Sequence, residues 1–174
     1  ALAACKPEIP KDYEDLVPEA ERESLEKVIP PGDPGPFDAP ALMVWYDAKK
    51  TSARKVGEAY EKQFESKGYE RLLECEQKDD SVDHIFGKLD GKTREIVQFT
   101  GYKLTHTTID GRLTRSTKIT SLTMSENREC KWTDFAKKKM CTSEPSNVCL
   151  LDGQHREHGG ERRVHVHDVV AYVA

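Results

Sequence analysis

The fold is decided by the stretch TSARKVGEAYEKQFESKGYERLLEC, which spans residues 51–75. Apolar side chains recur in it at intervals of three or four residues, and this spacing places them on one face of a helix. They are Ala53, Val56, Tyr60 and Phe64. Thr51 or Ser52 can cap the first free amides, and Gly68 supplies the left-handed residue that ends a helix. The stretch therefore predicts an amphipathic helix of about 16 residues that leads into a strand.

Two segments with strand character flank this helix in the sequence. Residues 41–46 are a short apolar and aromatic run, which predicts a first strand. Residues 69–76 alternate between apolar and polar types, and the alternation places Tyr69, Leu73 and Cys75 on one face of a second strand. A helix of this length is sufficient to cover one face of a small sheet.

Two Asp-Gly dipeptides mark the region that follows. Residues 82–88 and 93–102 flank the first of them, at 90–91, and this arrangement predicts a tight hairpin. The second, at 110–111, predicts another turn between threonine-rich segments that suit half-exposed strands. We therefore predict an α+β fold in the order β-α-β-β-β(-β). Its small antiparallel sheet has about four or five strands, with one amphipathic helix packed across a face.

The composition limits the classes of function. The chain has 27 lysines and arginines against 31 aspartates and glutamates, a net charge of −4. It therefore has no excess of the basic residues that nucleic acid requires of a partner. Hydrophobic residues make up 36% of the chain, enough for one modest core. No run approaches the roughly 18 apolar residues of a transmembrane helix.

The N-terminus carries a short motif, Leu2-Ala3-Ala4-Cys5, ahead of a polar run that contains prolines. It resembles a bacterial lipobox, the site at which a signal peptide is cut and the cysteine is acylated. The resemblance implies that residues 1–5 are the end of a signal peptide and that Cys5 carries a lipid anchor. Two or three acyl chains, at about 0.8 kcal/mol per buried CH₂, attach a protein firmly to a membrane. The resemblance thus implies an envelope lipoprotein, at the outer membrane or the periplasmic face; the alternative is an ordinary N-terminus with a free thiol.

The rest of the chain divides into three parts. Residues 6–40 are acidic and rich in proline, which predicts a tether, with a short helix after Pro18 over residues 19–28. Residues 41–125 are the predicted α+β core domain. Residues 126–174 are a polar tail that contains cysteine and histidine.

Four cysteines remain besides Cys5, and their even number favours disulfides and an oxidising compartment. They are Cys75, Cys130, Cys141 and Cys149. Of the three pairings that four cysteines allow, we favour Cys141 with Cys149, and Cys75 with Cys130, which would join the tail to the sheet. A zinc site is the alternative, although the short CxxC spacing typical of such sites is absent.

The tail also contains candidate metal ligands. They are His155, His158, His165 and His167. Imidazoles bind zinc, copper and nickel, and His165 and His167 would project from the same face of a strand. The alternative interpretation is a solvated tail, because a metal site needs several ligands that converge.

No catalytic motif occurs in the sequence: there is no nucleophile elbow, phosphate-binding loop or HExxH motif. His84 and His106 are interpreted as surface residues of neighbouring strands. We therefore expect neither an enzyme nor a cofactor.

The leading hypothesis is a lipid-anchored, non-catalytic module that binds another envelope protein. Its candidate surface is the sheet face away from the helix, with Tyr102 and the threonines.

Two alternatives remain open. One is a periplasmic metal-binding protein that uses the histidines of the tail. The other is an inhibitor of a secreted hydrolase, in the manner of the small periplasmic lysozyme inhibitors, which are compact β domains held by disulfides.

Overall fold

The computed structural model describes residues 6–32, 40–90, 93–117 and 130–140. These residues form an antiparallel sheet and two α-helices. The strands are β1 (Leu25–Ile29), β2 (Ala41–Asp47), β3 (Glu70–Cys75), β4 (Ser81–Asp90), β5 (Thr93–Tyr102), β6 (Thr108–Ser116) and β7 (Cys130–Trp132). The helices are α1 (Ala53–Ser66) and α2 (Asp134–Met140), and two short 3₁₀ helices, Lys11–Tyr13 and Glu19–Glu21, precede β1. In space the strand order is β1-β2-β6-β5-β4-β3-β7.

The fold is α+β, as predicted, but the sheet is larger than predicted. The order β2-α1-β3-β4-β5-β6 reproduces the predicted succession of elements. Within the described ranges the sheet has seven strands rather than four or five. The two additional strands, β1 and β7, come from the segments predicted to be a tether and a tail.

Helix α1 forms as its sequence predicts. The Ser52 hydroxyl accepts a hydrogen bond from the Lys55 amide at 3.1 Å, which caps the first turn. Gly68, just after the helix, has a φ of +83°, the left-handed conformation that glycine adopts without strain. All four apolar residues of the predicted face are fully buried.

The main core lies between α1 and the sheet. The ring of Tyr60 stacks on the ring of Phe99 from β5, with their centroids 3.7 Å apart. The Tyr60 hydroxyl lies 2.8 Å from the hydroxyl of Tyr46 on β2, and both side chains are completely buried. Burial raises the pKa of both phenols above the ordinary tyrosine value, so both stay neutral and can share this hydrogen bond.

The N-terminal segment belongs to this core, and the prediction that residues 6–40 form a tether is wrong for the part that contains residues 9–29. The side chains of Ile9, Tyr13, Leu16 and Val17 are buried in the same cluster as α1. The prediction of a helix over residues 19–28 is also wrong. Its second half is β1, which pairs with β2. The apolar residues of this segment have no regular period because they fill a core that other elements build.

Gly111 corrects a second prediction. The dipeptide at 110–111 is not a turn but lies inside β6, where Gly111 pairs with Gly101 of β5 and Val44 of β2. A Cβ atom at position 111 would lie 2.7 Å from the Phe99 ring and 2.7 Å from a methyl of Val44. The glycine is therefore required by close packing beneath an aromatic ring. The first Asp-Gly prediction is confirmed, since Asp90 pairs with Thr93 across a two-residue connection.

A β-bulge in β3 corrects a third prediction. Arg71 pairs with Phe86 and Leu73 pairs with the adjacent Ile85, which leaves Leu72 as the extra residue. Beyond the bulge every side chain changes face. Tyr69 therefore lies in the α1 core, whereas Leu73 lies in the cluster on the opposite face.

Helix α2 covers part of that opposite face, over β3 and β4. Its Ala136 packs in the same cluster as Trp132, Ile85 and Leu73. Cys75 and Cys130 are directly opposed on β3 and β7 and form a disulfide, as predicted. The favoured partner pair, Cys141 and Cys149, lies outside the described residues.

Candidate binding surface

The sheet face away from α1 is the surface that the sequence indicates. Beyond the part covered by α2, cross-strand pairing places Trp45, Asp110 and Tyr102 in one row on this face. The Lys27 ammonium group lies 5.2 Å from the centre of the Trp45 ring. Tyr102 is half-buried and Thr100 is only 6% exposed. The face therefore presents fewer accessible groups than the sequence predicts.

The two histidines predicted to lie on neighbouring strands differ in position, since His84 is in β4 and His106 is in the connection between β5 and β6. His106 is exposed, whereas His84 is 2% exposed beneath α1, so the prediction of a surface residue is wrong for His84. Its Nδ1 lies 3.3 Å from Nη1 of Arg71, whose Nη2 is 2.5 Å from a carboxylate oxygen of Glu61 on α1. Gly57 leaves the necessary space, because a Cβ there would lie 2.9 Å from Nε2 of His84. These contacts join the helix to β3 and β4.

Three connections meet at the end of the sheet where α1 begins, and we call this end the loop end. They are residues 48–52, 76–80 and 103–107. The Lys103 amide donates to the Asp80 carbonyl at 2.7 Å, and the Ala48 amide donates to the Thr107 carbonyl at 2.9 Å. The connection 103–107 is therefore held at both its ends by the other two.

The loop of residues 103–107 is also hydrogen-bonded internally. The Thr105 hydroxyl accepts from the Thr107 amide at 3.4 Å and from the Thr108 amide at 3.2 Å, and it lies 2.9 Å from the Thr108 hydroxyl. All five residues of the loop are exposed. Leu104 is 70% exposed; the other exposed large apolar side chain in the described ranges, Ile29, is 41% exposed. The loop thus presents an aliphatic side chain on a backbone fixed by hydrogen bonds.

Charge at the loop end is mixed, and the loop itself is free of acidic residues. Lys103, Lys49 and Lys50 are exposed there. Acids lie there as well: Glu76 and Asp80 are exposed, Asp79 pairs with Arg54 at 2.9 Å, and Asp47 lies 3.9 Å from Lys50. The loop end therefore has no net charge, since Lys49, Lys50, Lys78 and Lys103 are matched by Asp47, Glu76, Asp79 and Asp80.

Arg115 occupies the opposite end of the sheet, which we call the clamp end. Its guanidinium group contacts Asp15 Oδ2 at 2.7 Å and Glu95 Oε1 at 2.7 Å, and it also meets the Asp12 carbonyl. The Tyr69 hydroxyl donates to the same Glu95 oxygen at 2.7 Å. The N-terminal segment is thereby fastened to β5 and β6.

We call Arg115, together with Asp15, Glu95 and Tyr69, the clamp. The charges and burial within it shift the pKa of Asp15 and the pKa of Tyr69. Partial burial opposes the charged form of Asp15, but the hydrogen bond and charge of Arg115 outweigh it and hold the pKa of Asp15 below its usual value. Burial, together with the carboxylate of Glu95, raises the pKa of Tyr69 to about 12. The clamp is therefore an ionised pair with a neutral phenol beside it at physiological pH.

The two ends are separated by the length of the strands. Glu95 of the clamp and Tyr102, next to the loop, are seven residues apart on β5, which at about 3.3 Å per residue gives roughly 23 Å. The N-terminal segment is thus fastened at one end of the molecule, and Leu104 is presented at the other.

The remaining predicted sites lie outside the described residues. They are Cys5 and the histidines 155, 158, 165 and 167. Within the described ranges, no group of three or more His, Cys, Asp or Glu side chains is placed to hold a metal ion. None of the helices in those ranges is both long enough and apolar enough to span a membrane.

Comparisons of the chain with protein-family models, with curated proteins and with solved structures find no match. Its function therefore has to be inferred from its own residues.

Proposed function

We propose that this protein is a lipid-anchored protein of the cell envelope that acts as a non-catalytic binding module. The observation that best supports this proposal is the separation of its two ends. Cys5 comes only a few positions before Asp12 and Asp15, which are fastened at the clamp end. An acyl anchor on Cys5 would leave the loop end directed away from the membrane, toward a partner.

The disulfide gives independent support for the compartment. Cys75 and Cys130 are joined across neighbouring strands, and structural disulfides persist where the surroundings are oxidising, as in the periplasm. A location on the outer face of a membrane fits both this bond and the lipobox-like residues.

The test is the intact mass of the full-length protein expressed with a signal peptide. We expect the mass of two or three acyl chains on the wild-type protein and their loss in Cys5→Ser. We also expect Cys75 and Cys130 to resist alkylation until a reductant is added. A protein without acyl chains and with all its thiols free would contradict the proposal.

A second candidate function, inhibition of a secreted hydrolase, is supported by the loop of residues 103–107. Inhibitors that block a cleft need an exposed segment already held in its bound shape, since little conformational entropy is then lost on binding. The hydrogen bonds of Thr105 and the exposed Leu104 satisfy that requirement. Hen egg-white lysozyme that retains full activity at micromolar concentrations of the protein would count against this candidate for that class of enzyme.

A further inference from the structure

We propose that the contact between Arg71 and His84 is an acid-sensitive latch. A proton taken up by the His84 ring breaks this contact and weakens the packing of α1 against β3 and β4. The inference goes beyond the proposed function, because it depends neither on an acyl anchor nor on a binding partner.

The contact itself determines the charge of the His84 ring. The nitrogens of a guanidinium group only donate hydrogen bonds, and none of them accepts one. Nδ1 of His84 lies 3.3 Å from Nη1 of Arg71, so Nδ1 is the acceptor. An imidazole that accepts at Nδ1 is neutral and carries its proton on Nε2. A second proton would make Nδ1 a donor that faces another donor, so the folded protein holds the neutral ring.

Burial of the ring acts in the same direction. His84 is 2% exposed, and α1 covers it closely, since a Cβ atom at Gly57 would lie 2.9 Å from Nε2. A charged ring in this position loses its hydration, and this loss disfavours protonation. The cover is the helix itself, so a proton on the ring acts directly on the seat of α1.

The charges around the ring do not offset these two effects. Arg71 is the charged group in direct contact with it. The nearby carboxylates pair with other cations, Glu61 with Arg71 and Glu74 with Lys131 at 3.4 Å. Phe99, which pairs with His84 from β5, carries no charge. The charged residues on the neighbouring turns of α1 and on the adjoining part of β3 are Arg54, Glu58, Glu61, Arg71 and Glu74.

Arg71 is the side chain that the latch holds in place. Its Nη2 lies 2.5 Å from a carboxylate oxygen of Glu61 on α1, and its guanidinium carbon lies 4.7 Å from the centre of the Phe86 ring on β4. Arg71 thus joins β3 to both α1 and β4. A charged ring at position 84 would repel the guanidinium group and compete for the Glu61 carboxylate, so acid weakens the contacts that fix α1 over these strands.

The direction and the pH range of the effect follow from the unfolded chain. There the ring is free to take up a proton, with the ordinary histidine pKa of about 6.5. Below that pH the unfolded chain binds one proton more than the folded protein, so the unfolding equilibrium constant rises by up to about tenfold per pH unit. Above it the ring is neutral in both states. This range lies well above pH 3.8, below which Asp15 titrates.

The first experiment observes the ring in the wild-type protein. The full chain is labelled with nitrogen-15 in its histidine rings, and the signals of His84 are assigned through its backbone. We expect NMR at pH 7 to show the proton on Nε2 and a bare Nδ1. We also expect the ring to stay neutral at pH values at which histidine in the urea-unfolded chain is already charged. A proton on Nδ1 at pH 7 would overturn the proposal.

The second experiment measures urea denaturation at a series of pH values from about 5 to about 7.5. His84→Gln keeps a group that can accept from Arg71 but does not titrate, and His106→Gln, in an exposed loop, is the matched control. The unfolding constant of wild type divided by that of His84→Gln should rise by up to about tenfold per pH unit below about 6.5. The other histidines are the same in both proteins and cancel in this ratio.

His106→Gln should follow the wild-type curve. A ratio of wild type to His84→Gln that stays constant with pH would overturn the latch, because the acid response would then belong to other groups. If His84→Gln does not fold, the NMR titration of wild type decides alone. A ring that gains its proton at the same pH in the folded and the urea-unfolded chain would overturn the proposal.

Discussion

Gly111 and the hydroxyl pair of Tyr46 and Tyr60 are positions at which the core tolerates little change. Gly111 lies between Phe99 and Val44, with no space for a methyl group. The two tyrosines share one hydrogen bond in a core that excludes water. Each constraint depends on atoms that other strands or α1 supply, so none of the three residues can be interpreted from its neighbours in sequence.

We predict that Gly111→Ala lowers the free energy of unfolding by about 1–3 kcal/mol, because the added methyl forces buried side chains to move. Gly32→Ala is the matched control, since a Cβ there meets no atom within 4 Å. Urea denaturation of both variants measures the difference. Equal stabilities would show that Phe99 can move aside without cost.

We predict that Tyr46→Phe and Tyr60→Phe each destabilise the protein by about 1–3 kcal/mol, because each leaves a buried hydroxyl unpaired. The double variant removes both hydroxyls and should lose much less than the sum of the two single losses. A double-mutant cycle by thermal denaturation tests this. Additive losses would mean that the two hydroxyls do not depend on each other.

At the scale of elements, the N-terminal segment shows how a chain rich in proline can still belong to a core. Its 3₁₀ helices and β1 form between prolines, and its apolar side chains reach the same cluster as α1. The Gln63 side chain of α1 donates to the Asp15 carbonyl at 2.6 Å, which fixes the segment along the helix.

We predict that Leu16→Ala lowers stability by about 2–5 kcal/mol, the usual cost of a cavity in a core. Glu14→Ala, two positions earlier and exposed, should change stability by less than about 0.5 kcal/mol. Chemical denaturation of the two variants compares them directly. A neutral Leu16→Ala would favour the prediction of a tether, made for residues 6–40, in the part that precedes β1.

The elements that the sequence predicted well are those with local signals. Helix α1 carries its cap at Ser52, its apolar face and its stop at Gly68 within one stretch, and the β4–β5 hairpin carries its turn. Strand β1 was missed because its pairing with β2 joins residues far apart in the chain, such as Val28 and Val44. The bulge at Leu72 was missed for the same reason, since only the register with β4 reveals it.

The prediction that the sheet face away from α1 binds a partner, with Tyr102 and the threonines, stays a prediction. The loop of residues 103–107 was not part of it. The bonds that fix this loop join Lys103 to Asp80 and Thr107 to Ala48, which are distant in sequence. A lone leucine among polar residues after a strand was the one local sign of it.

At the scale of the whole molecule, the clamp makes stability depend on pH. The pKa of Asp15 in the folded protein lies below its usual value of 3.8, so the folded state favours the carboxylate. The contribution of the Asp15–Arg115 pair to the free energy of unfolding is therefore complete above pH 3.8, the usual pKa of the carboxyl group. It is lost as the pH falls through the lower pKa of Asp15 in the folded protein.

We predict that the wild-type free energy of unfolding falls more steeply below pH 3.8 than that of Asp15→Asn, which lacks the titrating group. Glu14→Gln, whose side chain is exposed, should follow the wild-type curve in this range. Denaturation at a series of pH values gives the slopes. Parallel curves for wild type and Asp15→Asn would show that the Arg115 contact does not favour the charged carboxylate.

The disulfide also makes part of the molecule a closed ring. Cys75 and Cys130 are separated by 55 positions, and β4, β5, β6 and the loop of residues 103–107 all lie between them. A protease that cuts the backbone in this loop therefore cannot separate the product into two molecules. The nicked protein would migrate as one species without reductant and as two fragments after reduction, so this exposed loop can be severed while both halves stay together.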